Sequence, residues 1–286
     1  MNRGTGGECI AIHTMVVADS RNGAPLATLL CLFGFGYAVN QIMFPKPAAS
    51  DAAGEAPPAA TEKPKEDVWE AKPKIQIVAL GDSLTAGTGD LTGKGYVGQT
   101  RDLLEKQLGK PVYVYNNFAI PGFRTADVLK DWDAKKDIDK SLANADLVLL
   151  TIGGNDLFEG GQGIFTNTDT GEGFNPKAAA ERIPGAIKRL GDIFDRIAKA
   201  NPKARVLYVG LYHPFLDLDT NRAGAAVVEQ WNTAAFELAN RHPNFVVIPT
   251  YDLFELNLNK YLYSDHFHPN QDGYLRIAER VVEALK

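Results

Sequence analysis

The chain has 286 residues, 45% of them hydrophobic and 23% charged, and carries a net charge of −5. That length and apolar content can fill one sizeable core or two small ones, and the acidic balance offers no basic field for nucleic acid, which disfavours that class of partner. Cys9 and Cys31 both precede the expected catalytic domain, so that domain folds without disulfides in either redox compartment.

Residues 1–23 form a short tail, of which the part before Met15 carries no usable pattern. Ala24 to Phe44 then runs 21 positions without a charge, enough at helical rise to cross a hydrocarbon layer of about 30 Å. The expectation is an uncleaved transmembrane signal anchor over 24–44. No small-x-small site closes the run, and Leu29-Leu30 before Cys31 does not fit a lipoprotein signal. Arg3 and Arg21 precede the segment and only Lys46 follows closely, a bias that leaves the N-terminus in the cytoplasm. The expected location is therefore the cell membrane, single-pass, with the catalytic domain extracytoplasmic. Over 45–73, six prolines and eight alanines with few large apolar residues cannot bury enough surface to offset chain entropy, so this stretch reads as a disordered tether.

The domain expected over 74–286 is built on five short apolar runs: Ile75 to Leu80, Val112 to Tyr115, Leu147 to Ile152, Val206 to Val209 and Phe245 to Ile248. They mostly lack polar alternation, as parallel strands covered on both faces do. Chemically apt clusters follow four of them. Gly81-Asp82-Ser83-Leu84 follows the first, Asn117-Phe118-Ala119-Ile120-Pro121-Gly122 the second, Gly153-Gly154-Asn155-Asp156 the third and Asp265-His266-Phe267-His268 the fifth. Phe158 to Phe174 holds too many glycines for a packed element and reads as a loop. At the C-terminus, Leu275, Ala278, Val281, Val282 and Leu285 repeat at helical spacing behind the capping candidate Asn270. Alternating β and α elements with short connections imply a doubly wound α/β sheet with right-handed crossovers. Ligands bind such sheets at the carboxyl ends of the strands, which makes Ser83 a candidate nucleophile.

On these four blocks the chain resembles the GDSL or SGNH hydrolases, whose Ser, Gly, Asn and His positions read Ser83, Gly122, Asn155 and His268 here, with Asp265 three residues before the histidine. The resemblance covers about 74 to 286. The runs at 87–97, 153–161, 210–215 and 261–281 look like the bacterial YpmR-like branch, described as lipases and esterases. It implies a three-layer α/β/α flavodoxin-like sheet of five parallel strands in the order 2-1-3-4-5. It also implies three oxyanion donors: the backbone N–H groups of Ser83 and Gly122 and the side-chain amide of Asn155. Ester hydrolysis needs a nucleophile, a base, a group that orients the base and donors where the oxyanion forms. The expected catalytic set is Ser83 as nucleophile, His268 as base and Asp265 as its orienting carboxylate, with no cofactor. Asp82 and Asp156 are expected to hydrogen-bond the loops that hold Ser83 and Asn155.

Each residue has a plainer alternative. Ser83 could cap a helix, Asn155 and Asp156 could form turns, Gly122 could bend the chain after a proline, and His268 could sit on the surface. These alternatives leave unexplained why the residues gather at one sheet edge in one order. His266, His268 and Asp265 lack the further ligands that a metal site needs, so no metal is expected; His213 is expected to pack locally, and His13 and His242 look incidental. The resulting expectation is a serine esterase or acylhydrolase that cleaves a small-molecule or lipid carboxylic ester through an acyl-enzyme. An acyltransferase with a sugar or lipid acceptor, and a non-catalytic surface binding module, are the alternatives.

Overall fold

The computed structural model describes Trp69, residues 71–159 and residues 176–286. The tail, the anchor expected over 24–44, all of the expected tether except Trp69 and 71–73, positions 160–174 of the glycine-rich stretch and Asn175 after it lie outside the described residues. Among those described, no helix is long and apolar enough to cross a membrane.

The five apolar runs form one sheet: β1 (Ile75–Gly81), β2 (Val112–Asn117), β3 (Leu147–Thr151), β4 (Arg205–Val209) and β5 (Phe245–Ile248). Every neighbouring pair is parallel, and the order is β2-β1-β3-β4-β5, as the resemblance implied. Ten helices are described: α1 (Ser83–Ala86), α2 (Gly95–Leu108), α3 (Thr125–Ala134), α4 (Asp137–Ala143), α5 (Gly154–Phe158), α6 (Pro176–Ala200), α7 (Ala223–Ala239), α8 (Tyr251–Glu255), α9 (Leu258–Tyr261) and α10 (Gln271–Glu283).

Strand side chains alternate between two apolar layers, which is why the runs look uniformly hydrophobic. Val78, Leu80, Val148, Leu150, Val206 and Tyr208 pack with α3, α4, α6 and α7. Ile75, Ile77, Ala79, Leu147, Leu149, Leu207 and Val209 pack on the other side with α2, α8 and α10. Trp69 adds to this second layer; its ring is buried, the Arg205 guanidinium lies 5.0 Å above it, and Lys110 Nζ donates to its carbonyl at 2.8 Å.

The edge strand β2 departs from simple alternation. Its register against β1 shifts between Ile77↔Val114 and Val78↔Asn116, leaving Tyr115 as the extra residue of a bulge. Val112 and Val114 face the α2 layer, whereas Asn116 reaches Ser141 Oγ on α4 at 2.7 Å. Beyond the bulge, Asn117 donates to the Thr85 carbonyl on α1 at 3.0 Å and accepts from the Ala119 N–H at 3.0 Å. The bulge thus turns β2 over just before the chain enters the block that ends in Gly122.

The C-terminal helix starts where its capping candidate stands, with Asn270 as N-cap and its side chain accepting from the Gly273 N–H. The same side chain donates to the carbonyls of Lys260 and Leu262, so the cap also holds the end of the loop that carries the histidine.

Candidate active site

β1 delivers Ser83 to the carboxyl edge of the sheet through a tight exit. Gly81 has φ +134°, and a Cβ there would lie 1.9 Å from the Thr151 carbonyl oxygen, so only glycine lets β1 run this close to β3. Asp82 caps α1, and Ser83 is the first helical residue. Both types favour N-caps, and the structure gives that role to the aspartate, leaving the serine hydroxyl free for another partner.

Asp82 Oδ1 accepts from the Leu84 N–H at 3.1 Å and from the Thr151 hydroxyl at 2.7 Å. Thr151 and Thr85 exchange backbone-to-hydroxyl bonds in both directions at 3.1 Å, and Thr85 Oγ1 also meets Tyr96 OH at 2.9 Å. Burial pushes the Asp82 carboxyl above its ordinary range, against the pull of the Thr151 hydroxyl and the Leu84 N–H. A carboxyl whose folded pKa is raised binds its proton more tightly in the native state, so native stability falls as pH climbs from the ordinary carboxylate range to the folded value. Asp82→Asn, which cannot ionise, should therefore gain on the parent as pH rises from about 4 to about 7 in denaturant titrations. A pH-independent difference between the two would contradict the raised pKa.

The second wall of the site is the loop between α9 and α10. It closes on itself through an antiparallel bridge between Leu262 and Pro269 and a 2.7 Å bond from the Tyr263 N–H to the His268 carbonyl. Inside it, Asp265 Oδ1 accepts from the N–H groups of Phe267 and His268, both at 3.0 Å. Its Oδ2 meets His268 Nδ1 at 2.7 Å. Partial burial works against the Asp265 charge, but the bonds from the His268 ring and the two N–H groups outweigh it and hold the carboxyl below its ordinary range. An ionised carboxylate only accepts, so Nδ1 carries the ring proton and Nε2 presents a lone pair. That Nε2 lies 2.8 Å from Ser83 Oγ. Gly89, at φ +95°, packs under this loop, where a Cβ would fall 2.5 Å from the Pro269 carbonyl oxygen and 3.0 Å from His268 Cβ.

Between these walls lie the other two blocks. Ile120-Pro121-Gly122-Phe123 is a turn closed by the Phe123 N–H on the Ile120 carbonyl at 3.1 Å. Gly122, at φ +84°, takes the position that a type II turn reserves for glycine behind proline. Asn155, buried on α5, donates Nδ2 to the Phe123 carbonyl at 2.9 Å. No acceptor is found for the N–H groups of Ser83 and Gly122 among the described residues. Asp156 does not grip its own loop: Oδ2 and Oδ1 take the N–H and hydroxyl of Thr125, at 2.8 and 2.6 Å, and so tie α5 to the start of α3.

The geometry thus brings Ser83, His268 and Asp265 into one hydrogen-bonded line and ties Asn155 to the turn that carries Gly122. His213 stays outside it: burial lowers its pKa against the pull of Asp219, which its Nε2 meets at 3.0 Å, and its ring stacks on Phe158. His242 pairs with Asp195 at 3.1 Å, and His266 lies in the loop that carries His268, at φ +54°. No cluster of metal-binding side chains occurs among the described residues. Sequence reasoning gave no role to Thr85, Tyr96, Thr151 or Arg189. Thr151 alone left a trace, as the polar residue near the end of an otherwise apolar run.

Residues 79–276 match the model of the GDSL-like lipase/acylhydrolase family. The Bacillus subtilis protein YpmR is 34% identical over 227 residues, spanning 78% of this chain and 86% of that protein. The spore germination lipase LipC of Bacillus licheniformis is 26% identical over 216 residues, covering 72% and 94% of the two chains. Among solved structures, the lipase Lip_vut3 from a goat rumen metagenome superposes with a TM-score of 0.64 at 25% identity, over 74% of this chain and 100% of that one.

Proposed function

This chain belongs to the GDSL-like lipase/acylhydrolase family and is a carboxylic ester hydrolase, and from that premise we propose that it works through an acyl-enzyme on Ser83. The observation that carries the reading is the imidazole of His268, bonded at 2.8 Å to Ser83 Oγ and at 2.7 Å to Asp265 Oδ2.

In the proposed cycle Asp265 holds Nδ1–H, and His268 Nε2 takes the hydroxyl proton as Ser83 Oγ attacks the acyl carbonyl. Charge passes to the carbonyl oxygen, where the N–H groups of Ser83 and Gly122 and the Asn155 amide donate. Imidazolium returns the proton to the departing alcohol. Water then enters, gives a proton to His268 and attacks the acyl carbon, and collapse of the second tetrahedral species returns that proton from His268 to Ser83 Oγ and releases the carboxylic acid, which ionises to solvent. We extend the proposal to an enzyme tethered at the membrane, supported by the charge-free run 24–44 and the proline- and alanine-rich stretch behind it.

A fluorophosphonate probe should add one adduct per chain, mapped to Ser83 by peptide mass spectrometry, and Ser83→Ala should take up none. An adduct on another residue, or undiminished labelling of the variant, would overturn the assignment of the nucleophile.

A further inference from the structure

Arg189 lies on α6, which contributes no block to the sheet edge, yet its guanidinium reaches the seam between the two elements that carry Gly122 and Asn155. Its Nε donates to Thr125 Oγ1 at 2.8 Å, and a terminal nitrogen lies 3.3 Å from Asp156 Oδ1. The Asp156 side chain is 2% exposed, and Arg189 is its cationic partner among the described residues. Thr125, Asp156 and Arg189 close a triangle of bonds directly behind the Asn155 to Phe123 contact.

We propose that Arg189 is a positioning residue for the oxyanion site: by locking Thr125 onto Asp156 it sets the spacing between the Gly122 N–H and the Asn155 amide. The inference rests on the reading of these two groups as oxyanion donors. Such donors act only when held about 2.7–3.1 Å from the developing charge, and a displacement of about 1 Å can cost about 10²-fold in rate. Without the guanidinium, Thr125 Oγ1 loses a donor and the buried carboxylate loses its counter-charge. The turn and α5 then keep their links to each other but not the brace that fixes their separation.

The test compares the full chain with Arg189→Gln, Arg189→Lys, Asn155→Ala and the Arg189→Gln/Asn155→Ala double variant on a soluble aryl ester. Arg189→Gln should lower kcat by about 10-fold or more with KM changed less than about 2-fold, the pattern of an interaction made in the transition state. Arg189→Lys should recover part of the loss. In the double variant the two losses should combine to less than their product, because one of the donors that Arg189 positions is already gone.

An unchanged kcat in a folded Arg189→Gln variant, or losses that multiply in full, would overturn the role of Arg189. If Asn155→Ala alone leaves kcat intact, the donor assignment has failed instead. Should Arg189→Gln not fold, Thr125→Val removes the hydroxyl shared by Arg189 and Asp156 and must show the same selective loss of kcat and the same less-than-multiplicative combination with Asn155→Ala.

Discussion

His268→Ala should reduce turnover of a simple aryl ester by about 10⁴-fold or more, with the fold intact by circular dichroism. The size follows from what the ring does in the proposed cycle. Without Nε2 at 2.8 Å, the Ser83 proton has nowhere to go but water, and the same ring is needed again to protonate the leaving alcohol and to activate the second water. Removing Ser83 as well should cost almost nothing further, because residues that act as a unit lose their effect together. What survives should be a residue of rate from the oxyanion donors, on the order of 10³-fold over water. Stopped-assay measurements on His268→Ala and on the Ser83→Ala/His268→Ala double variant check both points. A loss below about 10-fold would mean that another group takes the serine proton.

Gly81→Ala should cripple stability rather than chemistry. The added methyl would sit 1.9 Å from the Thr151 carbonyl oxygen, a backbone atom in the central strand, and the residue would be held at φ +134°. Overpacking costs about 1–3 kcal/mol and a forced backbone conformation another 1–3, against a total stability of about 5–15 kcal/mol. The melting temperature should fall by about 6 °C or more. Gly109→Ala is the matched comparison: its φ is +62° but nothing lies within 4 Å of the new Cβ, so only the left-handed conformation is penalised, at about 1 kcal/mol. Thermal melts of the two variants should separate clearly, and equal melting temperatures would show that β1 and β3 can move apart.

Much of this architecture was legible in the sequence because its physics is local. Five runs of branched and aromatic residues read as strands, and all five are found within two residues of their expected ends; cover on both faces fails at the edges, where Tyr113, Tyr115 and Val246 are exposed. The C-terminal helix was announced by Asn270 and the spacing behind it. Strand order is not a local property, and it came from the family resemblance rather than from the runs. Ser83 shows where local reasoning stops: it and Asp82 are both good caps, and the choice between them is made by the Thr151 hydroxyl, 68 positions after Ser83 in the chain. Asp156 was expected to hold the loop of Asn155 and instead holds Thr125 on another element. Arg189 left no trace at all, since an arginine on the polar side of a long helix is ordinary until its partner is known.

The bulge at Tyr115 makes the register of β2 beyond it, Asn116 on Val78 and Asn117 on Ala79, a functional quantity. In an even strand, Asn117 would share a face with Tyr113 and Tyr115. With one residue inserted against β1, parity inverts, and Asn117 comes to clasp Thr85 on the helix that Ser83 begins with one end of its amide and the Ala119 N–H with the other. Deleting Tyr115 would leave Val114 and Asn116 in ordinary alternation with Asn117 still opposite Ala79, whereas keeping Tyr115 and pairing it with Val78 would send this clasp to the wrong side. The pairing of Asn117 with Ala79, more than the identity of any exposed tyrosine, is the trait that the edge strand has to keep.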